Sequence, residues 1–212
     1  MPLDPDRRRI LLAAGAWLLA GGARAAARLE PTPAQTAGPF YPTEPPLDDD
    51  SDLTRVRGAD GVARGQITDL TGRLLDRDGR PIPKTRIEIW QCDAHGRYHH
   101  PLDGAGERDP NFQGFGQTAT DAEGRYRFRT IRPVPYPGRT PHIHMAVFPE
   151  GERPFVTQLY VRGEPLNARD GLFNAIPPAR RERVLADFSP HLSDGATLAA
   201  RFDVVLGLTP RG

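Results

Sequence analysis

Two imidazoles and a phenol stand within nine residues at 136–144, which read Tyr-Pro-Gly-Arg-Thr-Pro-His-Ile-His. His142 and His144 lead into Met145, Ala146, Val147 and Phe148, an apolar run of strand character. Side chains alternate along a strand, so the two histidines face the same way with Cα atoms about 7 Å apart. A pair so placed can converge on one metal ion. Alone, a His-x-His pair is more often two exposed or hydrogen-bonded strand histidines, so the surrounding residues decide.

Further donors fall on loops or strand ends. They are Tyr98, His99 and His100, which join Tyr136, His142 and His144 in the pool of candidate ligands. No carboxylate has convincing spacing, which disfavours a two-His-one-carboxylate Fe(II) site. The single Cys92 excludes a Cys-rich zinc site and reads as a buried apolar filler near a strand end. No Ser-His-Asp order, phosphate-cradling loop or dinucleotide fingerprint competes. What remains is imidazole plus phenol. Holding a phenolate at neutral pH, against a phenol pKa of about 10, needs a strongly Lewis-acidic cation. Fe(III) suits such a donor set, because two phenolates compensate its charge and hold it oxidised.

The elements that must position these groups are mostly strands. The chain has 212 residues and a net charge of +1, from 28 basic and 27 acidic side chains. That fits one medium domain and gives no electrostatic case for nucleic acid. Its 22 glycines and 23 prolines imply many turns. Alternating patterns predict strands at 67–75, around Ile87 and Ile89, at 116–120, 125–130, 142–148, 155–161 and 197–206. Residues 101–114 and 167–173 read as loops, and 179–188, after Pro177 and Pro178, as one helix. About seven short strands predict an all-β fold, a β-sandwich of two mostly antiparallel sheets with long loops and one short helix.

Residues 1–25 do not read as part of that domain. Arg7, Arg8 and Arg9 precede an uncharged run over 10–20, and Ala23 and Ala25 form an A-x-A pattern. This is the order of an export signal. The apolar run is shorter than the roughly 20 residues a membrane span needs. The adjacent arginines resemble a twin-arginine signal, which exports folded proteins. The expected location is periplasmic or extracellular, with no stable membrane anchor once the signal is cleaved. Residues 26–64, rich in proline and carrying Asp48, Asp49 and Asp50, predict an extended arm, and 65–212 the sandwich domain.

Several segments taken together, in order, resemble the intradiol ring-cleavage dioxygenases, the group of protocatechuate 3,4-dioxygenase and catechol 1,2-dioxygenase. They are Gly-Pro-Phe-Tyr-Pro at 38–42, Ile-Glu-Ile-Trp-Gln at 87–91, Gly-Arg-Tyr at 96–98 and Phe-Arg-Thr-Ile-Arg-Pro at 128–133. Pro-Tyr-Pro at 135–137, Arg-Thr-Pro-His-Ile-His at 139–144 and Val-Thr-Gln-Leu-Tyr at 156–160 complete the set. The resemblance spans roughly residues 35–206 and its second half leans to the protocatechuate branch.

The resemblance implies a mononuclear non-haem Fe(III) held by Tyr98, Tyr136, His142 and His144. It casts Tyr136 as the ligand that leaves when a catechol arrives and takes a substrate proton. It casts Arg139 as a charge beside the bound ring and Gln158 as that arginine's support. Both atoms of O2 would enter the ring, which opens between the hydroxylated carbons to a muconate-type product. Only 137–141 separate Tyr136 from His142, shorter than in the family enzymes, which predicts a more open pocket wall. Protocatechuate, catechol, hydroxyquinol or a larger plant-derived phenol all fit as substrate. A homo-oligomer is compatible with the chain. On this reading His95, His99 and His100 are loop or rim residues, and Trp90 belongs to the core. A second class is a secreted, non-catalytic transthyretin-like or carboxypeptidase-regulatory-like β-sandwich module, which 72–91 would suit but which needs no such ligand set.

Overall fold

The computed structural model describes residues 28–44, 46, 48–104, 106–193 and 195–207. The stretch read as an export signal lies outside them. Ten strands are described: β1 Ile67–Leu75, β2 Arg86–Trp90, β3 Phe115–Ala119, β4 Arg125–Ile131, β5 His142–Phe148, β6 Phe155–Val161, β7 Leu185–Ala186, β8 Phe188–Ser193, β9 Ala196–Arg201 and β10 Val204–Val205. They form two five-stranded sheets. One runs β10-β1-β9-β8, with β4 paired to the other side of β1; the second runs β3-β2-β5-β6-β7. Most pairings are antiparallel, while β1 pairs in parallel with β9 and β10, and β6 with β7.

Period-two patterning builds the core between the sheets. Ile87 and Ile89 of β2, Ile143, Met145 and Val147 of β5 and Leu159 of β6 pack against Leu70, Leu74, Phe128, Ala200 and Val204 of the other sheet. Their neighbours in sequence therefore point to the outer face of the second sheet. There Trp90, Ala146, Tyr98, Cys92 and Phe115 form a separate cluster, with Phe40 and Tyr136 against it. His142, His144 and Gln158 lie on this outer face, all at most 1% exposed. The N-terminal arm covers it. Gln35 N–H donates to the Val156 carbonyl at 2.8 Å, and Thr32 N–H to the Val205 carbonyl at 2.9 Å.

The helix expected over 179–188 is a 3-10 turn, Pro178–Val184, followed directly by β7. No side chain caps the turn: Pro177, at the N-cap, has no side-chain oxygen to accept from the free N–H groups of the first turn. Pairing with β6 then draws Leu185 and Ala186 into the sheet. The described α-helix, α1 Gly171–Asn174, is a single turn begun by Asp170, whose carboxylate accepts from Phe173 N–H. The strand read as one over 197–206 breaks into β9 and β10, giving more strands than the alternation suggested.

Gly72 in β1 lies under the Phe202 carbonyl and the Tyr126 hydroxyl, both in the space a Cβ would take. Gly72→Ala is expected to destabilise the fold by about 1–3 kcal/mol, as overpacking does, because a carbonyl cannot swing aside like a side-chain tip. Thermal melts of the two proteins measure it.

Candidate metal centre

Each candidate ligand is fixed by a different piece of local structure. Tyr98 follows a tight turn in which the Asp93 carboxylate accepts from His95 N–H at 2.8 Å and Arg97 N–H at 3.0 Å. Gly96 closes that turn at φ +74, where a Cβ would come within 2.9 Å of the Pro135 carbonyl, so only glycine fits without displacement. The Asp103 carboxylate then accepts from Tyr98 N–H at 2.6 Å. Tyr136 and Arg139 are the ends of a second turn, closed by Arg139 N–H on the Tyr136 carbonyl at 2.9 Å. His142 and His144 open β5 on one face, as the alternation requires.

These four side chains meet. The His142 and His144 Nε2 atoms are 3.2 Å apart. The Tyr136 ring centre lies 5.5 Å from those of both His142 and Tyr98, and Tyr98 lies 6.3 Å from His144. His142 Nδ1 is 2.6 Å from the Thr140 carbonyl. A carbonyl only accepts, so Nδ1 carries the proton and Nε2 presents a lone pair. Burial, aided by the Arg139 charge, lowers the His142 pKa to about 4. Burial, then the proximity of His142 and Arg139, holds His144 well below the usual imidazole value. Both rings are thus neutral, the form that binds metal. Trp90 lies flat on His144, ring centres 4.9 Å apart and 5° from parallel, so it does more than fill the core.

The phenols need a cation to ionise. Burial pushes Tyr98 well above the ordinary phenol value. It also raises Tyr136, against the opposing charge of Arg139. The Tyr98 hydroxyl is buried without a hydrogen-bond partner, a costly arrangement unless another group satisfies it. Two imidazole lone pairs and two phenols, one unsatisfied, make a donor set that fits a hard, strongly Lewis-acidic cation. Among the described residues no group of three His, Cys, Asp or Glu could hold a metal; the further side-chain donors beside the two histidines are the two phenols. Cys92 is buried, its thiol pushed up to about 12 mainly by that burial, and stays outside the donor set.

Arg139 is held rigidly at the edge of this cluster. Its Nε donates to Asp170 Oδ2 at 2.8 Å and one terminal nitrogen to Gln158 Oε1 at 2.6 Å. The other faces the Tyr136 hydroxyl at 3.4 Å. Gln158 is fixed in turn by donating to the Thr36 carbonyl at 2.9 Å. The Tyr160 hydroxyl sits between Gln35 Oε1 at 2.6 Å and Gln158 Oε1 at 3.0 Å.

A family model described as Dioxygenase matches residues 36–207. The protocatechuate 3,4-dioxygenase beta chain of Burkholderia cepacia is 44% identical over 168 residues, covering 74% of this chain and 71% of its own. The chain belongs to the intradiol ring-cleavage dioxygenases. The hydroxyquinol 1,2-dioxygenase of Corynebacterium glutamicum is 32% identical over 200 residues, covering 82% of this chain but 63% of the relative, less than two thirds of its length. Among solved structures, the dioxygenase domain of a dioxygenase carbohydrate-binding protein fusion from Streptomyces sp. SirexAA-E superposes with a TM-score of 0.63 at 29% identity, over 85% of this chain and 100% of that one.

In this intradiol dioxygenase several site residues escape a reading by ligand type. Phe40 of the arm stacks on Tyr98, ring centres 4.6 Å apart. Asp170, in a stretch that reads as loop, binds Arg139 and also accepts from Thr140 N–H at 2.9 Å. Asn167 accepts from the Thr140 hydroxyl at 2.8 Å. His100, expected as a loop or rim residue, is buried and accepts from Leu102 N–H at 3.1 Å, capping a 3-10 turn at Pro101–Asp103. His95 and His99 are exposed, at the periphery.

Proposed function

We propose that this intradiol dioxygenase holds a mononuclear non-haem Fe(III) on Tyr98, Tyr136, His142 and His144. The substrate is a catecholic, protocatechuate-like ring. Both atoms of O2 enter the product, and the bond between the two hydroxylated carbons breaks to give a muconate-type dicarboxylic acid. The observation that carries the metal assignment is the convergence of two buried imidazoles, with Nε2 atoms 3.2 Å apart, on two phenols, one of them buried without a partner.

Bound Fe(III) supplies the Lewis acidity that favours the ionised catechol and activates it toward O2. The protein's groups do the rest. Tyr136, ionised when the cation is bound, would accept a substrate hydroxyl proton at its phenolate oxygen and so become the neutral phenol. Arg139, beside that oxygen at 3.4 Å, stabilises negative charge that develops on the ring. Gln158 orients the guanidinium, since its oxygen accepts from Arg139 while its amide is anchored on Thr36. Phe40 and Trp90 cover Tyr98 and His144 and keep water from the ligand side. The order of residues 1–25 further supports export of the folded protein through the twin-arginine pathway.

The visible spectrum of the purified protein, with its iron content, tests the reading. A tyrosinate-to-Fe(III) charge-transfer band, red to burgundy, is expected. Adding a catechol without oxygen should move it to longer wavelength. A protein that stays colourless after Fe(III) reconstitution would overturn the iron assignment and favour a non-catalytic sandwich module.

A further inference from the structure

A cavity of about 200 Å³ opens on the outer side of Tyr136 and Arg139. It lies between the 136–139 turn and the 3-10 turn Pro165–Arg169, and Gly138, Leu166, Arg169 and Asp170 complete the part that matters here. Gly138 leaves the wall bare: at φ +81, an added Cβ there would meet nothing within 4 Å.

The charges around the cavity are unequally engaged. Arg139 is spent on Asp170, Gln158 and Tyr136. The Asp170 carboxylate is spent on Arg139, Thr140 N–H and Phe173 N–H. Arg169 is exposed and, among the described residues, its side chain makes neither a hydrogen bond nor an ion pair. The cavity therefore carries one uncommitted guanidinium and no uncommitted carboxylate. Leu166, 36% exposed, gives it an apolar side.

We infer that Arg169 is a specificity-determining residue that selects catechols bearing an anionic ring substituent, a carboxylate above all. This rests on the site reading above, in which the hydroxylated edge of the ring lies at Tyr136 and Arg139. The opposite edge then reaches the cavity. A guanidinium offers a carboxylate a planar fork of donors. An arginine that merely ends a 3-10 turn near free carbonyls would treat charged and neutral rings alike.

The test is oxygen uptake by the iron-loaded full-length protein with 3,4-dihydroxybenzoate and with unsubstituted catechol. Arg169→Gln should lower kcat/KM for the carboxylated ring about tenfold, the size of one lost charge-assisted hydrogen bond at an exposed position. The loss should lie in KM, since this contact is the same in ground and transition states. Unsubstituted catechol should change by less than about twofold, and Arg169→Lys should recover part of the loss, because it keeps the charge but not the fork. Equal losses on both rings, or no loss on either, overturn the role of Arg169 while leaving the ring-cleavage reading intact. A wild-type protein that holds iron and cleaves neither ring overturns the site reading, and this inference with it.

Discussion

Replacing His142 with alanine is expected to strip iron from the protein and abolish ring cleavage while the sandwich still folds. His142 places its Nε2 atom 3.2 Å from that of His144, and its other nitrogen is tied to the Thr140 carbonyl. Loss of an outer-shell partner alone costs about 10–100-fold in metal affinity or activity, so loss of the ligand itself should exceed that range. The ring lies on the outer face of the second sheet, away from the core formed by Ile143, Met145 and Leu159. Folding should suffer only the unpaired Thr140 carbonyl and a small cavity, about 1–3 kcal/mol. Iron content, the charge-transfer band and a thermal melt on one preparation separate the two effects. Full iron occupancy with an unchanged band would remove His142 from the ligand set.

The second large effect is expected at Asp170, which binds no metal. Asp170→Asn should keep iron and colour yet lower kcat roughly 100-fold, comparable to removing one preorganised donor at a reacting centre. The carboxylate holds Arg139 and, through Thr140 N–H, the backbone just before His142. Without it the guanidinium keeps Gln158 but loses its ionic anchor, and its aim at the Tyr136 oxygen loosens. Asp170→Ala is a harsher change. It leaves Arg139, 14% exposed, without a counter-charge and deletes the α1 cap, so about 3–5 kcal/mol of stability should go. A spectrum unchanged in Asp170→Asn beside a fallen kcat identifies a positioning role; a lost band would mean that Asp170 shapes the ligand cluster itself.

The contrast between these two residues tracks what a linear sequence can display. His142 and His144 are legible because strand periodicity and metal chemistry act over two residues. Tyr98 and Tyr136 are legible only through the neighbouring motifs, since phenols alone carry no spacing rule. Asp170 is invisible: its partners are Arg139 and Thr140, about 30 positions earlier, and its own surroundings read as loop. Phe40 shows as an aromatic wanting a pocket, but nothing local says that the pocket is Tyr98. The paired strands follow alternation well, as in β5 and β6. The stretch after Pro178 does not, because helix-forming residues there yield to an uncapped start and to pairing with the edge of β6. The burial of His100 is hidden for a similar reason: it depends on the turn that the residue caps rather than on its polarity.

The arm gives the molecule two separable points of failure. All ten described strands begin at or after Ile67, so neither sheet borrows a strand from residues 28–44. The site does borrow from them: Gln35 accepts from Tyr160, the Thr36 carbonyl receives Gln158, and Phe40 lies on Tyr98. Those contacts join positions as much as 125 residues apart, and the segment made early in synthesis is finished only once the strands it covers exist. Peeling the arm back would leave a sandwich with its core intact, but with Gln158 free to turn and Tyr98 open to water. For this chain, being folded and being competent are different conditions, and the arm is where they part.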